Sequence, residues 1–431
     1  MMNIAFHTLG CKLNFSETSF IANTIKDKGF SQVPFSSPAD VYVINTCSVT
    51  ENANKECQYL VRKQLKLNEN AFIVIMGCYA QLKPNEIAKI KGVNLVLGNN
   101  EKFKLKKYLK NLRKNKTKII HQESKNLHDY LPSFSFGDRT RSFLKIQDGC
   151  NYKCSFCTIP LARGKSRSDN VNNIINNINK LKSDGVKEII LTGVNVGDFK
   201  TNKNEKLIDL LKKIDKIKSI RVRISSIEPN LITDEIINLI ANSKIIQPHF
   251  HIPLQSGSDT ILKLMQRRYL QNDYQLIIEK INKQISNACI GVDVIVGFPG
   301  ETEELFNETL SFIKKINISY LHVFSYSERE NTKAIKMNNI INVETKKYRS
   351  KILRNLSEKK KSIFYQKNIG SIQEVLFEKK INNKYISGFS KNYIKIQAKY
   401  DARLINNIQK VKIDSVNYEN TTIANGKLIN I

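Results

Sequence analysis

Cys150-Asn151-Tyr152-Lys153-Cys154-Ser155-Phe156-Cys157 places three thiols in one short loop. The loop follows Phe143-Leu144-Lys145-Ile146-Gln147, whose alternation of apolar and polar residues predicts a strand. Three thiolates therefore converge at the end of one strand. A cubane iron–sulfur cluster has four irons, so three protein thiolates leave one iron open. An open iron can chelate the amino and carboxylate groups of S-adenosylmethionine. A structural zinc loop is the competing reading. It needs a fourth ligand, and the nearest flanking candidates are His128 and Cys289.

The chain downstream repeats strand and helix patterns. Strands are expected at Phe143–Gln147, Glu188–Thr192, Arg221–Ile227, His249–Leu254, Gly291–Phe298 and Tyr320–Tyr326, with amphipathic stretches such as Val171–Lys182 and Thr302–Lys315 between them. This spacing predicts a parallel, barrel-like sheet, in which ligands sit at the carboxyl ends of the strands. Polar and glycine-rich segments fall at those ends: Thr192-Gly193-Val194-Asn195, Ser225-Ser226-Ile227-Glu228-Pro229, Gln255-Ser256-Gly257 and Gly297-Phe298-Pro299-Gly300-Glu301. Any one of these residues could equally serve turn geometry or helix capping.

Upstream, the first hundred residues read as a separate α/β unit. Strands are expected at Ile4–Thr8, Val41–Asn45 and Phe72–Met76, and helices at Glu17–Lys28 and Ala53–Leu67. Each strand runs into a cysteine, namely Cys11, Cys47 and Cys78. A parallel sheet would bring all three to its carboxyl edge, where they could form a second three-cysteine cluster site. Three unrelated buried thiols remain the alternative. Cys57, inside a helical run, and Cys289, before a buried strand, are expected to be packing residues.

Length and charge bound the rest. With 431 residues the chain exceeds one hydrophobic core, so two or three domains are expected. No window approaches the apolar length of a membrane span, and the polar start lacks a secretory pattern. A cytoplasmic protein with no membrane association is expected, and its eight cysteines should be reduced and available for metal. The formal charge of +30, from 69 Lys and Arg against 39 Asp and Glu, suits a nucleic-acid partner. Codon bias toward Lys, Asn and Ile would produce the same excess.

The segments Leu9-Gly10-Cys11-Lys12-Leu13-Asn14, Asn45-Thr46-Cys47, Met76-Gly77-Cys78 and Asp148-Gly149-Cys150 resemble the signature of radical S-adenosylmethionine methylthiotransferases. Further matching segments are Ala162-Arg163-Gly164-Lys165-Ser166-Arg167-Ser168, His251-Ile252-Pro253-Leu254-Gln255-Ser256-Gly257, Met265-Gln266-Arg267-Arg268-Tyr269 and Val296-Gly297-Phe298-Pro299-Gly300-Glu301-Thr302. The resemblance spans nearly the whole chain. The Gly-Cys-Lys-Leu-Asn opening and the Arg163–Ser168 run look most like the branch acting on threonylcarbamoyladenosine beside a tRNA anticodon.

The resemblance implies an α/β architecture: a Rossmann-like or flavodoxin-like domain over 1–115, a partial (β/α)6 radical barrel over 136–366, and a small all-β RNA-binding barrel of the TRAM type over 367–431. It implies two [4Fe-4S] clusters, one on Cys150, Cys154 and Cys157 and an auxiliary one on Cys11, Cys47 and Cys78. Gly193 and Asn195 would lie near the methionine amino group of S-adenosylmethionine, and Ser226, Glu228 and Gln255 near its carboxylate or ribose. An electron from a reducing donor would cleave S-adenosylmethionine to a 5′-deoxyadenosyl radical, which takes the hydrogen from carbon 2 of the adenine. The auxiliary cluster would supply a sulfur methylated by a second S-adenosylmethionine, so two are consumed per product. Other targets in the family are isopentenyladenosine in tRNA and a ribosomal-protein aspartate.

The third domain is also legible as short strands at Gln373–Phe377, Tyr385–Phe389 and Tyr393–Gln397. Residues 371–431 carry ten Lys or Arg against five Asp or Glu. Tyr385, Phe389 and Tyr393 could stack on bases of the anticodon stem-loop, or serve as strand-face aromatics. Two basic runs, Lys102–Lys118 and Lys346–Lys361, extend the positive surface or form solvated helix faces.

Overall fold

The structure, a computed structural model, describes residues 1–26, 29–48, 51–110, 117–137, 139–381, 384–417 and 422–429. Strands β1 (Met2–Thr8), β2 (Phe30–Gln32), β3 (Val41–Thr46), β4 (Phe72–Gly77), β5 (Val93–Leu97) and β6 (Lys118–Ile120) form one parallel sheet in the order β2-β1-β3-β4-β5-β6. Every residue of β3 and β4 is buried, as in sheets covered on both faces. Tyr42, Ile44, Ile73 and Ile75 face one layer, where the helix Glu51–Leu67 contributes Cys57, Leu60 and Val61. Val41, Val43, Val74 and Met76 face the other, against Ile21 and Ile25 of the helix Lys12–Ile25. The chain reverses its direction of winding between β1 and β3. Such a switch point leaves a crevice beyond the carboxyl ends of the strands, and Cys11 and Cys47 follow β1 and β3 there.

The middle of the chain adds β7 (Ser142–Lys145), β8 (Gln147–Asp148), β9 (Arg167–Ser168), β10 (Glu188–Thr192), β11 (Arg221–Ile224), β12 (His249–His251), β13 (Cys289–Val296) and β14 (Tyr320–Ser325). β11-β10-β7 and β12-β13-β14 are parallel sheets, joined by the bridges Val222–Ile246 and Ser226–His251. Six parallel strands thus curve into a partial barrel, with helices such as Val171–Ser183 and Glu303–Lys315 outside it. Ile174, Ile178 and Leu181 from the first and Phe306, Phe312 and Ile313 from the second pack on the strands.

Several strands end earlier than their hydrophobic pattern. The run expected as Phe143–Gln147 divides, because Gln147 and Asp148 turn to pair antiparallel with β9. β12 stops at His251 because Pro253 has no N–H to give. Beyond it Leu254 N and Gln255 N both bond to Asp293 O, at 3.1 and 2.8 Å. Thr302, expected inside its helix, is the N-cap, its side chain accepting from Leu305 N.

β15 (Ile372–Lys380), β16 (Tyr385–Ser390), β17 (Lys395–Lys399), β18 (Ile408–Asn417) and β19 (Ile423–Leu428) close into a barrel around Val375, Phe377, Ile396, Val411 and Ala424. Tyr393 falls outside its expected strand, with φ +63° in the turn before β17. That turn enters the amino-terminal end of the partial barrel. Tyr393 stacks on His249, Arg223 lies over its ring, and Arg223 Nη2 donates to Ser390 O at 2.6 Å. Phe389 stacks on Tyr393 and carries Arg141 over its ring. Phe389 and Tyr393 are therefore committed to this junction and unavailable to stack on bases, whereas Tyr385 is exposed. Of the basic runs, Lys346–Lys361 lies on the helix Val343–Gln366, Lys102 is buried, and residues 111–116 lie outside the described residues. No described helix is long and apolar enough to cross a membrane.

Candidate functional site

Three loops at the carboxyl edge of the first sheet carry Cys11, Cys47 and Cys78. Cys11 is the N-cap of the helix Lys12–Ile25 and is exposed, while Cys47 and Cys78 are buried. Gly10 has φ +99°, and a Cβ there would lie 2.8 Å from Cys47 Sγ, so only glycine lets the first loop approach the second. Asn14, fully buried, donates to Leu9 O and Thr46 O, each at 3.0 Å, which clamps those two loops together. Thr46 Oγ1 donates to Met76 O at 2.7 Å and ties in the third. Cys11 is within electrostatic reach of both Cys78 and Arg163.

The second triplet lies on the loop after β8. Gly149, at φ +71°, passes so close to Lys165 that a Cβ would stand 2.0 Å from its carbonyl oxygen. Cys150 N bonds Gly164 O, Ser155 N bonds Met265 O, and Cys157 N bonds Cys154 O, each at 3.1 Å. Arg267 Nη1 donates to Cys154 Sγ at 3.2 Å and its Nη2 pairs with Glu228. Burial pushes the Cys150 thiol up to about 11 and the Cys157 thiol up to about 12. Both would be protonated at neutral pH without a cation to hold the thiolates.

The two triplets are joined by buried charge. Glu17 accepts from Lys102 Nζ at 2.5 Å, Lys145 Nζ at 3.1 Å and Arg163 Nη2 at 3.0 Å. Asp148 accepts from Arg163 Nη1 at 2.9 Å, Lys145 at 3.4 Å and Arg167 at 3.3 Å. Burial alone would raise the Glu17 carboxyl, but Arg163, Lys102 and Lys145 outweigh it and hold Glu17 well below the usual carboxylate range. Because Glu17 is on the first domain's helix and Asp148 ends β8, two residues before Cys150, this network fixes one triplet relative to the other.

The adenosylmethionine candidates gather beside the second triplet. Gln147 Oε1 accepts from Val194 N and Asn195 N at 2.9 and 3.0 Å, while its Nε2 donates to Gly149 O at 2.7 Å. Gly193 packs on this side chain, where a Cβ would meet Gln147 Oε1 at 2.8 Å. The buried Asn195 amide has no partner at either Nδ2 or Oδ1, and Gln255 Oε1 and Ser225 Oγ are likewise unpartnered. These orphaned groups are what a site for an amino acid's charged ends requires. Of these, Gln255 lines a cavity of about 220 Å³, with Phe156, Cys157, Asp293, Ile295 and Tyr326 among its other walls. Glu228 is engaged by Arg267. Ser226 Oγ pairs at 2.8 Å with His251 Nδ1, whose Nε2 pairs at 2.8 Å with Asp293 Oδ1.

Gln147, Arg267, His251, Asp293 and His322 were assigned no role from sequence. A lone Asp in the apolar run of β13, at an inward position two residues from Gly291, was a legible signal. Among the described residues, His251, Asp293 and His322 alone form a trio of potential ligands all within 4.8 Å of one another. Both cysteine triplets are more open than that.

A partial parallel barrel, three cysteines on the loop after its first strand, and unsatisfied polar groups at its carboxyl edge define a radical S-adenosylmethionine enzyme. The Radical SAM superfamily model matches residues 144–313, and Uncharacterized protein family UPF0004 matches residues 3–98. The chain is 41% identical over 374 residues, 86% of its length and 91% of the relative's, to Threonylcarbamoyladenosine tRNA methylthiotransferase MtaB of Aquifex aeolicus. It is 34% identical over 418 residues, 94% of each chain, to tRNA-2-methylthio-N(6)-dimethylallyladenosine synthase of Dictyoglomus thermophilum. Among solved structures, the radical S-adenosylmethionine methyltransferase TsrM of Kitasatospora setae shares the fold, with TM-score 0.56, 11% identity, and coverage of 75% of this chain and 73% of that one. The chain belongs to the radical S-adenosylmethionine tRNA methylthiotransferases.

Proposed function

We propose that this enzyme methylthiolates carbon 2 of threonylcarbamoyladenosine next to the anticodon of a tRNA, giving 2-methylthio-threonylcarbamoyladenosine. The observation that carries the reading is the pair of cysteine triplets on facing domains, locked together through Glu17, Arg163 and Asp148. The name borne by the Aquifex aeolicus relative supports the choice of nucleoside. In this reading the working units are 1–115 for the auxiliary site, 136–366 for the radical site and 367–431 for RNA binding.

Cys150, Cys154 and Cys157 would hold one [4Fe-4S] cluster and Cys11, Cys47 and Cys78 the other. When bound, the first supplies the electron that splits S-adenosylmethionine and the second supplies sulfur. The chain's own work is binding and orientation. The Asn195 amide and Gly193, beside the backbone of Val194 and Asn195 that Gln147 braces, receive the methionine end, and Gln255, Ser226 and the Arg267–Glu228 pair lie toward its carboxylate and ribose. Phe156, Ile295 and Tyr326 line an apolar slot for the adenine and keep water from it. The anticodon stem-loop is the proposed macromolecular substrate, drawn by the positive charge of the chain.

Mass spectrometry of tRNA nucleosides from a deletion strain, with and without the gene restored, tests the assignment. Loss of 2-methylthio-threonylcarbamoyladenosine on deletion and its return on complementation is the expected result. The Dictyoglomus thermophilum relative favours a second reading, methylthiolation of dimethylallyladenosine. That reading prevails if the methylthio derivative of dimethylallyladenosine disappears instead.

A further inference from the structure

Cys78 has a neighbour that cluster ligation does not explain. Arg163 Nε donates to Cys78 Sγ at 3.2 Å. The other guanidinium donors are also engaged: Nη1 reaches Glu17 Oε1 at 3.1 Å and Asp148 Oδ1 at 2.9 Å, and Nη2 reaches Asn14 Oδ1 at 2.6 Å and Glu17 Oε2 at 3.0 Å. A side chain with every donor committed and 2% of its surface exposed has one available geometry. With Arg163, three further cations, Lys102, Lys145 and Arg167, make four positive charges against three carboxylates, Glu17, Asp148 and the buried Asp169 within electrostatic reach of Lys145. The network is net positive and largely out of reach of screening by water.

We propose that Arg163 is a positioning residue that orients the Cys78 sulfur and raises the reduction potential of the auxiliary cluster. This rests on the reading that Cys11, Cys47 and Cys78 hold such a cluster. Adding an electron makes a cluster more negative. An N–H donor on a ligand sulfur and a surplus positive charge nearby both stabilise that reduced form over the oxidised one. The molecule contains its own comparison. Arg267 donates to Cys154 at the same 3.2 Å, but the carboxylate of Glu228 balances its charge, so the radical-site cysteines lack the surplus found beside Cys78. Arg163 also holds Asp148, two residues before Cys150, so the group bonded to one triplet positions the loop of the other.

The test uses the full chain with Cys150, Cys154 and Cys157 replaced by Ala, reconstituted anaerobically with iron and sulfide so that only the auxiliary site can be loaded. Its potential is measured by a redox titration followed by electron paramagnetic resonance, with Arg163 intact and in Arg163→Lys and Arg163→Gln. The expected result is a lower potential in both variants, larger in Arg163→Gln, which loses the charge. A loaded cluster whose potential is the same in all three proteins overturns the role of Arg163 and leaves the cluster reading standing. Failure of the intact protein to bind iron overturns both. Should the variants not fold, guanidino-15N-arginine in the protein with Arg163 intact decides the matter by pulsed resonance. A 15N coupling to the reduced cluster is expected, and its absence overturns the proposal.

Discussion

The ring of Tyr393 lies on that of His249, with centroids 4.0 Å apart and planes 8° from parallel. Tyr393 comes from the carboxyl-terminal barrel and His249 from the first position of β12, so this contact seats one domain in the floor of another. His249 Nε2 lies 2.9 Å from Tyr320 OH, and Arg223 reaches past the rings to the carbonyls of Ser390 and Lys391.

Tyr393→Ala should therefore unseat the small barrel without unfolding the cysteine sites. Loss of a packed aromatic and its stacking costs about 3 kcal/mol. Limited proteolysis should cut between the helix Val343–Gln366 and β15 faster in the variant, and iron content should be unchanged. Wild-type resistance to the protease would show that the polar contacts of Arg223 and Arg141 suffice for docking.

The same junction should be acid-labile. Burial, with Arg223 next in weight, holds His249 well below the usual imidazole value of 6.5. The folded protein keeps this ring neutral while the unfolded chain binds a proton as pH falls below about 6.5. Its contribution is thus complete above that pH and declines below it, by at most about 1.4 kcal/mol per pH unit for one proton. Urea midpoints measured from pH 7.5 to 5 should fall more steeply for the wild type than for His249→Phe. Parallel slopes would refute the assignment.

Asn195→Ala should separate binding from stability. Its amide is buried with both polar atoms unpartnered, so its removal relieves an unmet desolvation cost and should change folding stability by less than about 1 kcal/mol. Affinity for S-adenosylmethionine should nevertheless fall about tenfold, the loss of hydrogen bonds worth about 1.4 kcal/mol. Calorimetric titration of the reconstituted protein measures the second effect and urea unfolding the first. Unchanged affinity would remove Asn195 from the proposed site.

Local pattern was enough to read β1, β3 and β4 of the first sheet and the six strands of the partial barrel, because most of their residues are apolar or β-branched; the short edge strands β2 and β6 and the strand β5 were not read from it. Glu188–Thr192 is identical in pattern and structure. The ends of β11 and β12 were misjudged because the apolar run continues past the last ladder bond, into the loops that build the site. The cysteine positions were legible for a related reason. A thiol directly after a strand of a parallel sheet can only stand at the carboxyl edge.

Sequence by itself thus determined the class of fold, the two cysteine triplets and the loops around the barrel mouth, since each is encoded within a few neighbouring residues. Tertiary structure alone decided how those parts meet. Glu17 and Arg163 are 146 positions apart and form one buried pair, and Tyr393, open in the sequence to stacking on RNA or to a strand face, packs from a turn against His249. No local periodicity records such contacts, because burying a charge or a ring depends on which distant partner is there to satisfy it.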